Sequence, residues 1–398
     1  MSPKIYNPAL QPGKNLTAHY TLQQIAYWAA AAGLISFATA FLLEKGFAPS
    51  QVGILLASGN LLSCAFQPLL AQRADRIGGN ILNRLTLLLT GLCITFLCVV
   101  QFAAVPQWLY GLCYLLAVFS FDAMMPLLNS VCVAYKRQGN RINYGFGRGI
   151  GSLAYSFAAL GIGKAIAGLG ADSMVWIVLV LLMFNVIITL RYPRIRDFVK
   201  CEDETKAEDC CSIAEFFLRY KWYCASLLGV MLLAMFHAMT ENYMIEIVGK
   251  LGGDSSSVGI ALFVATAIEA LVVIYFEKIR EHISDSWLLK YAGLSFLLKS
   301  VLLLLAPSVT AIYFIQLLQA TSYSFLAPTQ MYYANAKVSV ADMVKGQAFI
   351  TAAYSLGCAI GNFTGGQLLD IFNVTVLMIA GIVMAALGTI ILFITVDK

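Results

Sequence analysis

Long apolar runs alternate with short polar stretches along almost the whole chain. A helix needs roughly 20 apolar residues to cross a bilayer core about 30 Å thick, and the runs here reach that length. Runs this long exclude transmembrane strands, so each predicts a helix that satisfies its own backbone hydrogen bonds. The pattern predicts twelve spans, at 20–42, 51–72, 83–104, 107–134, 145–168, 173–192, 221–248, 256–277, 286–306, 310–334, 345–370 and 374–395.

Charged residues divide these spans into two groups of six. The stretch 193–219 is charged and weakly apolar, whereas the other connections are short. We therefore expect an N-terminal six-helix bundle at 1–192, a cytoplasmic central loop at 193–219 and a C-terminal six-helix bundle at 220–398.

Lysine and arginine residues cluster in alternate connections. They precede the first span and follow the second, fourth, sixth, eighth and tenth, while the other loops contain little more than Lys45, Lys164 and Lys250. Because basic loops stay on the cytoplasmic side, both termini are predicted to be cytoplasmic. Residues 1–18 are polar and lack the apolar core of a secretory signal peptide.

The composition agrees with a membrane location. The 398 residues are 60% hydrophobic and 12% charged, against roughly 25% charged residues in soluble chains. So few charges cannot coat a soluble protein of this size, and the net charge of +5 forms no basic face for nucleic acid. The ten cysteines lie mostly in apolar runs, where cysteine acts as a small hydrophobe, and no metal site is expected.

Short sequences recur at equivalent places in the two groups of spans. The recurring pairs are Ser50–Leu56 and Ser256–Leu262, Ala154–Ser156 and Ala353–Ser355, and Met125-Pro126 and Ala327-Pro328. Three repeats in the same order indicate two pseudo-symmetric units with a cavity between them at the middle of the membrane.

The loop after the second span reads Ala71-Gln-Arg-Ala-Asp75-Arg76-Ile-Gly78. It resembles the loop signature of the major facilitator superfamily, which is glycine, three residues, Asp-Arg, one residue, glycine, then basic residues. Ala71 replaces the leading glycine, and the next basic residue is delayed to Arg84. The resemblance implies the major facilitator fold, transport by alternating access, and a gating role for Asp75 and Arg76.

Two further segments resemble the lactose permease and nucleoside:proton symporter branch of that superfamily. They are Pro126-Leu-Leu-Asn129 and Phe146-Gly147-Arg148, the latter followed by Tyr155. In lactose permease the corresponding arginine and aromatic residue bind sugar, which implies that Arg148 and Tyr155 bind substrate. Asn129 or Ser130 stands where that permease has an acidic partner, which argues against a galactoside and leans toward the nucleoside branch.

Ionisable residues inside a membrane are costly, and each is a candidate functional residue. Glu269 and Lys299 lie at similar depth in the eighth and ninth spans and match a Glu and an Arg of lactose permease. We expect Glu269 to carry the coupling proton. A structural Glu269–Lys299 ion pair is the alternative.

Two further groups of ionisable residues have open roles. His237 and Glu241 share a face of the seventh span, either as a proton or substrate site or as a hydrogen-bonded structural pair. Asp122 in the fourth span is either a ligand or proton site, or the salt-bridge partner of Arg148.

Uncharged polar residues supply the other candidate substrate contacts. Gln316, Gln319 and Tyr323 form one stripe on the tenth span, which either binds substrate or makes interhelical contacts. Glutamine cannot carry a proton, so coupling is not expected there. The remaining candidates lie on the first, second, fourth and eleventh spans: Gln24, Trp28, Asn60, Asn129, Gln347 and Tyr354.

Together these features predict a secondary active transporter that imports a sugar, an oligosaccharide or a nucleoside together with protons. The alternative is a drug/proton antiporter, although the fifth span lacks the Gly-Pro motif that such exporters carry. No loop holds a nucleotide-binding, zinc or serine-nucleophile motif, so neither an enzyme nor a cofactor is expected. We expect a monomer in the bacterial inner membrane, driven by a proton gradient, with sodium left open as the coupling ion.

Overall fold

The computed structural model describes residues 14–77, 81–137, 142–193, 212–339 and 342–397. These residues form helices, and no strand occurs among them. The helices are α1 (Lys14–Ala31), α2 (Ala38–Glu44), α3 (Pro49–Ile77), α4 (Ile81–Phe102), α5 (Gln107–Asp122), α6 (Met124–Arg137), α7 (Tyr144–Leu169), α8 (Asp172–Leu190), α9 (Ile213–Arg219), α10 (Lys221–Asn242), α11 (Met244–Gly249), α12 (Ser255–Arg280), α13 (Asp285–Leu305), α14 (Val309–Ile315), α15 (Tyr323–Lys337), α16 (Met343–Ile371) and α17 (Val374–Thr395). A π-helical turn (Ala32–Ser36) precedes α2, and a 3₁₀ turn (Gln316–Ala320) follows α14.

Eight of the described helices are long and apolar enough to cross a membrane, and a ninth span results if the bent pair formed by 16–36 and 38–44 is counted as one. The chain is therefore a multi-pass integral membrane protein. The helices α3 and α16 and the broken α14–α15 segment lie at the other three predicted spans and are more polar or interrupted. The count of twelve spans and the cytoplasmic side of the termini stay predictions.

Breaks occur in the first, fourth, seventh and tenth predicted spans. The first changes to a π turn, the fourth and seventh break at Ala123 and Tyr243, and the tenth passes through the 3₁₀ turn. One continuous helix lies at each of the other eight predicted spans. The breaks hold the same places in both groups of six, which agrees with the internal repeat.

The two halves, defined as residues 14–193 and 212–397, meet along two helix pairs. The helix α7 packs on α12, and α3 packs on α16. Glycines allow backbone to approach backbone: a Cβ on Gly163 would lie 2.5 Å from the Ser255 carbonyl oxygen, and one on Gly53 would lie 2.6 Å from that of Asn362. Such close crossings are typical of small residues in membrane helices.

These close contacts all lie at one end of the bundle, where α3 and α12 begin and α7 and α16 end. At the same end the backbone N–H of Ser50 donates a hydrogen bond to Asp370 Oδ2 across the halves, at 3.1 Å. The bundle is thus closed at this end. With the predicted orientation, this is the extracellular end.

The short helix α9 lies within the predicted central loop. Ser212 caps it by accepting a hydrogen bond from the Glu215 backbone at 3.3 Å, and its own N–H donates to Glu215 Oε2 at 2.7 Å. The Ser212 backbone thereby holds the pKa of Glu215 below its ordinary value. Phe216 is buried and its ring lies 5.1 Å from that of Phe349, so α9 packs on the C-terminal half.

We expect Gly163→Leu to open the closed end, because the added side chain would meet the Ser255 carbonyl and Gly259 Cα. Gly161→Leu is the matched control, since a Cβ there meets no atom within 4 Å. Hydrogen–deuterium exchange should become several-fold faster at the start of α12 in the Gly163 variant only. Equal exchange in both variants would show that this contact does not hold the end closed.

Candidate functional site

A cavity of about 190 Å³ lies where the two halves meet. We call it the main cavity. It is lined by Trp28 of α1, Arg148, Ser152 and Tyr155 of α7, His237 and Glu241 of α10, Thr266 and Glu269 of α12, Gln319 of the 3₁₀ turn and Tyr323 of α15. Eight of these ten are residues that the sequence analysis selected, and the structure brings them together.

Ser152 and Thr266 are the two lining residues that sequence reasoning missed. Ser152 lies one turn after Arg148, and Thr266 lies three residues before Glu269, so both share a helical face with a selected residue. This helical spacing is the sequence signal that could have identified Ser152 and Thr266. Ser156, one turn further along α7, is 2.6 Å from Thr266 between hydroxyl oxygens and links the two halves.

Arg148 and Trp28 form one wall of the main cavity. The guanidinium carbon lies 3.8 Å from the centroid of the indole ring, and Nη1 donates a hydrogen bond to Ser152 Oγ at 2.5 Å. The indole Nε1 donates to Gln24 Oε1 at 2.9 Å. Gln24 is itself buried and outside the lining, so it orients Trp28. A Cβ on Gly151 would lie 2.6 Å from the indole ring, which explains the glycine there.

Lys299 lies behind the cavity wall with no exposed surface. Its Nζ donates a hydrogen bond to Gln319 Oε1 at 2.8 Å and lies 3.7 Å from Glu241 Oε1. Among the described side chains, the salt-bridge partner of Lys299 is therefore Glu241. The Glu269–Lys299 pair considered from the sequence is not within ion-pair distance.

Glu269 faces the cavity without a basic group within 4.0 Å in the described part of the chain. Gln319 lines the same cavity and accepts the hydrogen bond from Lys299 of α13. The 3₁₀ turn that contains Gln319 packs against α12, so it connects α13 to α12.

His237 and Tyr323 form a second aromatic wall. Their rings stack with centroids 4.6 Å apart and an interplanar angle of 9°. The Nδ1 atom of His237 and the Oε1 atom of Glu241 have no hydrogen-bond partner among the described residues. No hydrogen bond joins these two side chains, so the His237–Glu241 pair considered from the sequence is not formed. On the opposite side, the hydroxyl oxygens of Tyr155 and Ser36 lie 2.5 Å apart.

The helix breaks position much of this site. Ser36 lies in the π turn, Gln319 in the 3₁₀ turn, and Glu241 one residue before the end of α10. Irregular backbone within a membrane is tolerated where it is buried in protein or lines a cavity. The apolar pattern of these spans gave no sign of the breaks.

A second, smaller cavity of about 40 Å³ holds two other selected residues, Asn60 and Asp122. Asn242 and Asn362 from the C-terminal half also line it. Asp122 accepts a hydrogen bond from Ser63 Oγ at 3.3 Å. The Asp122–Arg148 salt bridge considered from the sequence is absent, because Arg148 lines the main cavity instead.

Other selected residues lie outside both cavities. Gln316 is fully buried, and Asn129 Oδ1 has no partner in the described structure. Gln347 donates to Asn335 Oδ1 at 2.8 Å, and the Tyr354 ring is 6.2 Å from that of Tyr323.

The side chains of Asp75 and Arg76, the predicted gating residues, lie outside the described residues. Among the residues that are described, no group of three His, Cys, Asp or Glu side chains could hold a metal ion.

Comparisons with known proteins identify the fold and the family. Residues 16–380 match the profile described as the MFS_1 like family, and no curated protein matches the sequence. The structure of the nucleoside transporter NupG is similar with a TM-score of 0.79 and 14% identity, over 96% of this chain and 98% of that chain.

Two other solved structures share the architecture at low identity. An inward-facing, unoccupied bacterial homolog of the human lysosomal transporter Spinster has a TM-score of 0.71 and 16% identity, over 98% of both chains. An auto-inhibited POT family peptide transporter has a TM-score of 0.69 and 10% identity, over 96% of both chains. At such identities the likeness shows a common fold.

We expect Lys299→Met to destabilise the protein by about 1–3 kcal/mol, because it leaves buried Gln319 without its hydrogen-bond donor and the partly exposed Glu241 carboxylate without its ion-pair partner. The double variant Lys299→Met/Glu241→Gln should recover part of this loss. Lys45→Met is the control: its pair with Asp172, at 2.5 Å, is partly exposed and should contribute about 1 kcal/mol or less. Denaturant titration in mixed micelles measures each free energy of unfolding. Equal losses for both lysines would contradict a structural role for the buried pair.

Proposed function

Because the chain belongs to the MFS_1 like family, being a membrane transporter of the major facilitator type rather than an enzyme, we propose that it imports a small neutral polar solute together with protons. Within that class we propose a nucleoside-like solute. The observation that carries the proposal is the main cavity, in which aromatic rings, amide and hydroxyl groups and the charged side chains of Arg148, Glu241 and Glu269 line one space between the two halves.

The aromatic side chains support a ligand with a flat or apolar face. Trp28, Tyr155, His237 and Tyr323 all line the cavity. Aromatic rings bury large apolar area and stack on other rings. A nucleobase or a sugar ring presents such a face, while Gln319, Ser152 and Thr266 supply hydrogen bonds for amide or hydroxyl groups.

The size of the cavity favours a small solute. Its volume of about 190 Å³ is below the roughly 300–1,000 Å³ of sites for drug-sized ligands. A single nucleoside or monosaccharide suits this space better than an oligosaccharide or a large lipophilic drug. The fold shared with NupG, a nucleoside transporter, agrees with the nucleoside assignment.

The charges support a neutral solute. Arg148 and Lys299 carry two positive charges, and Glu241 and Glu269 carry two negative charges, so the cluster is balanced when both carboxylates are ionised. A drug/proton antiporter for lipophilic cations is the alternative, and a polar site with balanced charges in and behind its wall suits it less well.

Glu269 is the carboxylate that suits proton coupling best. Glu241 forms an ion pair with Lys299, whereas Glu269 lines the cavity with no basic group within 4.0 Å of its carboxylate in the described part of the chain. Alternating access would expose it to each side of the membrane in turn, which allows it to take up and release a proton. The proposal needs no cofactor besides the proton gradient, and it describes a monomer in the bacterial inner membrane.

We expect Glu269→Gln to abolish uphill accumulation while solute exchange continues, because glutamine keeps hydrogen bonds but carries no proton. Proteoliposomes containing a pH dye would be given nucleosides, then sugars, then lipophilic cations. Internal acidification of wild-type vesicles on adding a nucleoside is the expected signal. Glu246→Gln, which lies outside the cavity lining, is the control. Uphill transport at the normal rate in Glu269→Gln would reject the assignment.

We expect Arg148→Ala to lower solute affinity by at least about tenfold, since a charge-assisted hydrogen bond contributes roughly 1.5–3 kcal/mol. Arg191→Ala, at the exposed end of α8, should bind normally. Binding is measured by tryptophan fluorescence or by calorimetry with the solute found in the vesicle assay. Unchanged affinity in Arg148→Ala would remove this residue from the binding site.

A further inference from the structure

The second cavity differs from the main cavity in its balance of charge. Asp122 lines it, and none of the described lysine or arginine side chains lies within 4 Å of its carboxylate. Its hydrogen bond from Ser63, at 3.3 Å, is long. The surrounding side chains include Leu55, Leu56 and Val118. A carboxylate in such surroundings is costly unless a counter-charge is bound.

A proline frees a backbone oxygen at the same place. Pro126 has no N–H to donate to the carbonyl of Asp122, four residues earlier in the chain. The side chain of Gln67 donates to this carbonyl instead, at 3.3 Å. Asp122 is also the last residue of α5, where the helix dipole presents its negative end. Broken helix ends of this kind coordinate cations in other transporters.

Amide groups supply further oxygen atoms. Asn362 is 1% exposed, and its Nδ2 atom has no partner in the described structure. Asn242 Nδ2 donates to Asn362 Oδ1 at 2.6 Å. Flipping both amides keeps this hydrogen bond and turns the carbonyl oxygen of Asn362 to the unpaired position. Asn60 also lines the cavity.

The volume and the charge specify the ligand. A cavity needs a volume of roughly 10–15 Å³ to hold one water molecule. The second cavity, of about 40 Å³, therefore admits an ion and the water molecules that remain bound to it, but no sugar or nucleoside. One carboxylate balances one positive charge. Oxygen ligands suit hard cations. A proton would neutralise Asp122 but would leave the amide end of Asn362 without a partner.

We infer that the second cavity binds one sodium ion, held by the Asp122 carboxylate and by neutral oxygens from both halves. The site is complete in this conformation because Asn60 and Asp122 belong to one half and Asn242 and Asn362 to the other. The backbone carbonyl of the same residue, Asn362, lies beside Gly53 at the closed end. Sodium therefore stabilises the conformation in which that end is closed. This inference does not rest on the identity of the transported solute.

The test is thermal unfolding of the purified protein in lipid nanodiscs, in sodium chloride or in choline chloride at equal ionic strength. We expect sodium to raise the Tm of the wild type in a saturable manner and to have no such effect on Asp122→Asn. Ser63→Ala should raise the half-saturating sodium concentration by about tenfold, as loss of a group that orients a ligand does. Glu246→Gln, outside the cavity lining, is the control and should respond like the wild type.

Binding of radioactive sodium gives a second readout that does not depend on the stability of the variants. One ion per chain is expected for the wild type, with half-saturation shifted in Ser63→Ala. If sodium and choline act alike on the wild type, or if only lower pH raises the Tm, Asp122 carries a proton and the inference is wrong. A sodium effect that persists in Asp122→Asn would also overturn it.

Discussion

The core of a bilayer offers no hydrogen bonds, so backbone groups must be satisfied within the protein, and polar side chains collect where the protein or a cavity shields them from lipid. This constraint explains where the polar residues of the chain lie. Many large hydrophobic side chains are exposed on the described helices, while amide, carboxylate and basic groups line the two cavities between the halves or are buried behind them. Lys299 illustrates the rule, since a fully buried ammonium group is held by Glu241 and Gln319.

The breaks in four helices follow from the same constraint. A straight helix uses its own backbone groups and presents side chains at fixed angles. The π turn, the 3₁₀ turn and the breaks at Ala123 and Tyr243 change those angles within the protected interior. They bring Ser36, Gln319 and Glu241 to the region of the main cavity. At the break after Asp122, the side chain of Gln67 donates a hydrogen bond to the Asp122 backbone carbonyl. The continuous helices α3, α7, α12 and α16 instead supply the contact between the halves.

The two cavities divide the intramembrane charges between them. At the main cavity the charges of Arg148 and of Lys299, which lies behind the cavity wall, match those of Glu241 and Glu269. In the second cavity Asp122 stands without a matching cation among the described side chains. A balanced site suits a neutral solute with a proton, and an unbalanced site suits an ion. Both sites use residues from each half, so the occupancy of either depends on how the halves meet.

The sequence by itself determined the membrane class, the family and most members of the main site. The length of the apolar runs predicts transmembrane helices. Charged residues are rare in such runs and indicate functional sites, so the sequence alone identifies Glu269, Arg148 and Lys299 as candidates. Sequence spacing could not assign partners, because ion pairs form between helices whose rotation and depth are set by packing. Only the tertiary structure therefore decided that Lys299 pairs with Glu241, that Asp122 and Arg148 lie in separate cavities, and that Gln347 contacts Asn335. The helix breaks also came from the structure alone, because the same apolar sequence suits a straight helix and a broken one until neighbouring helices satisfy the freed backbone groups.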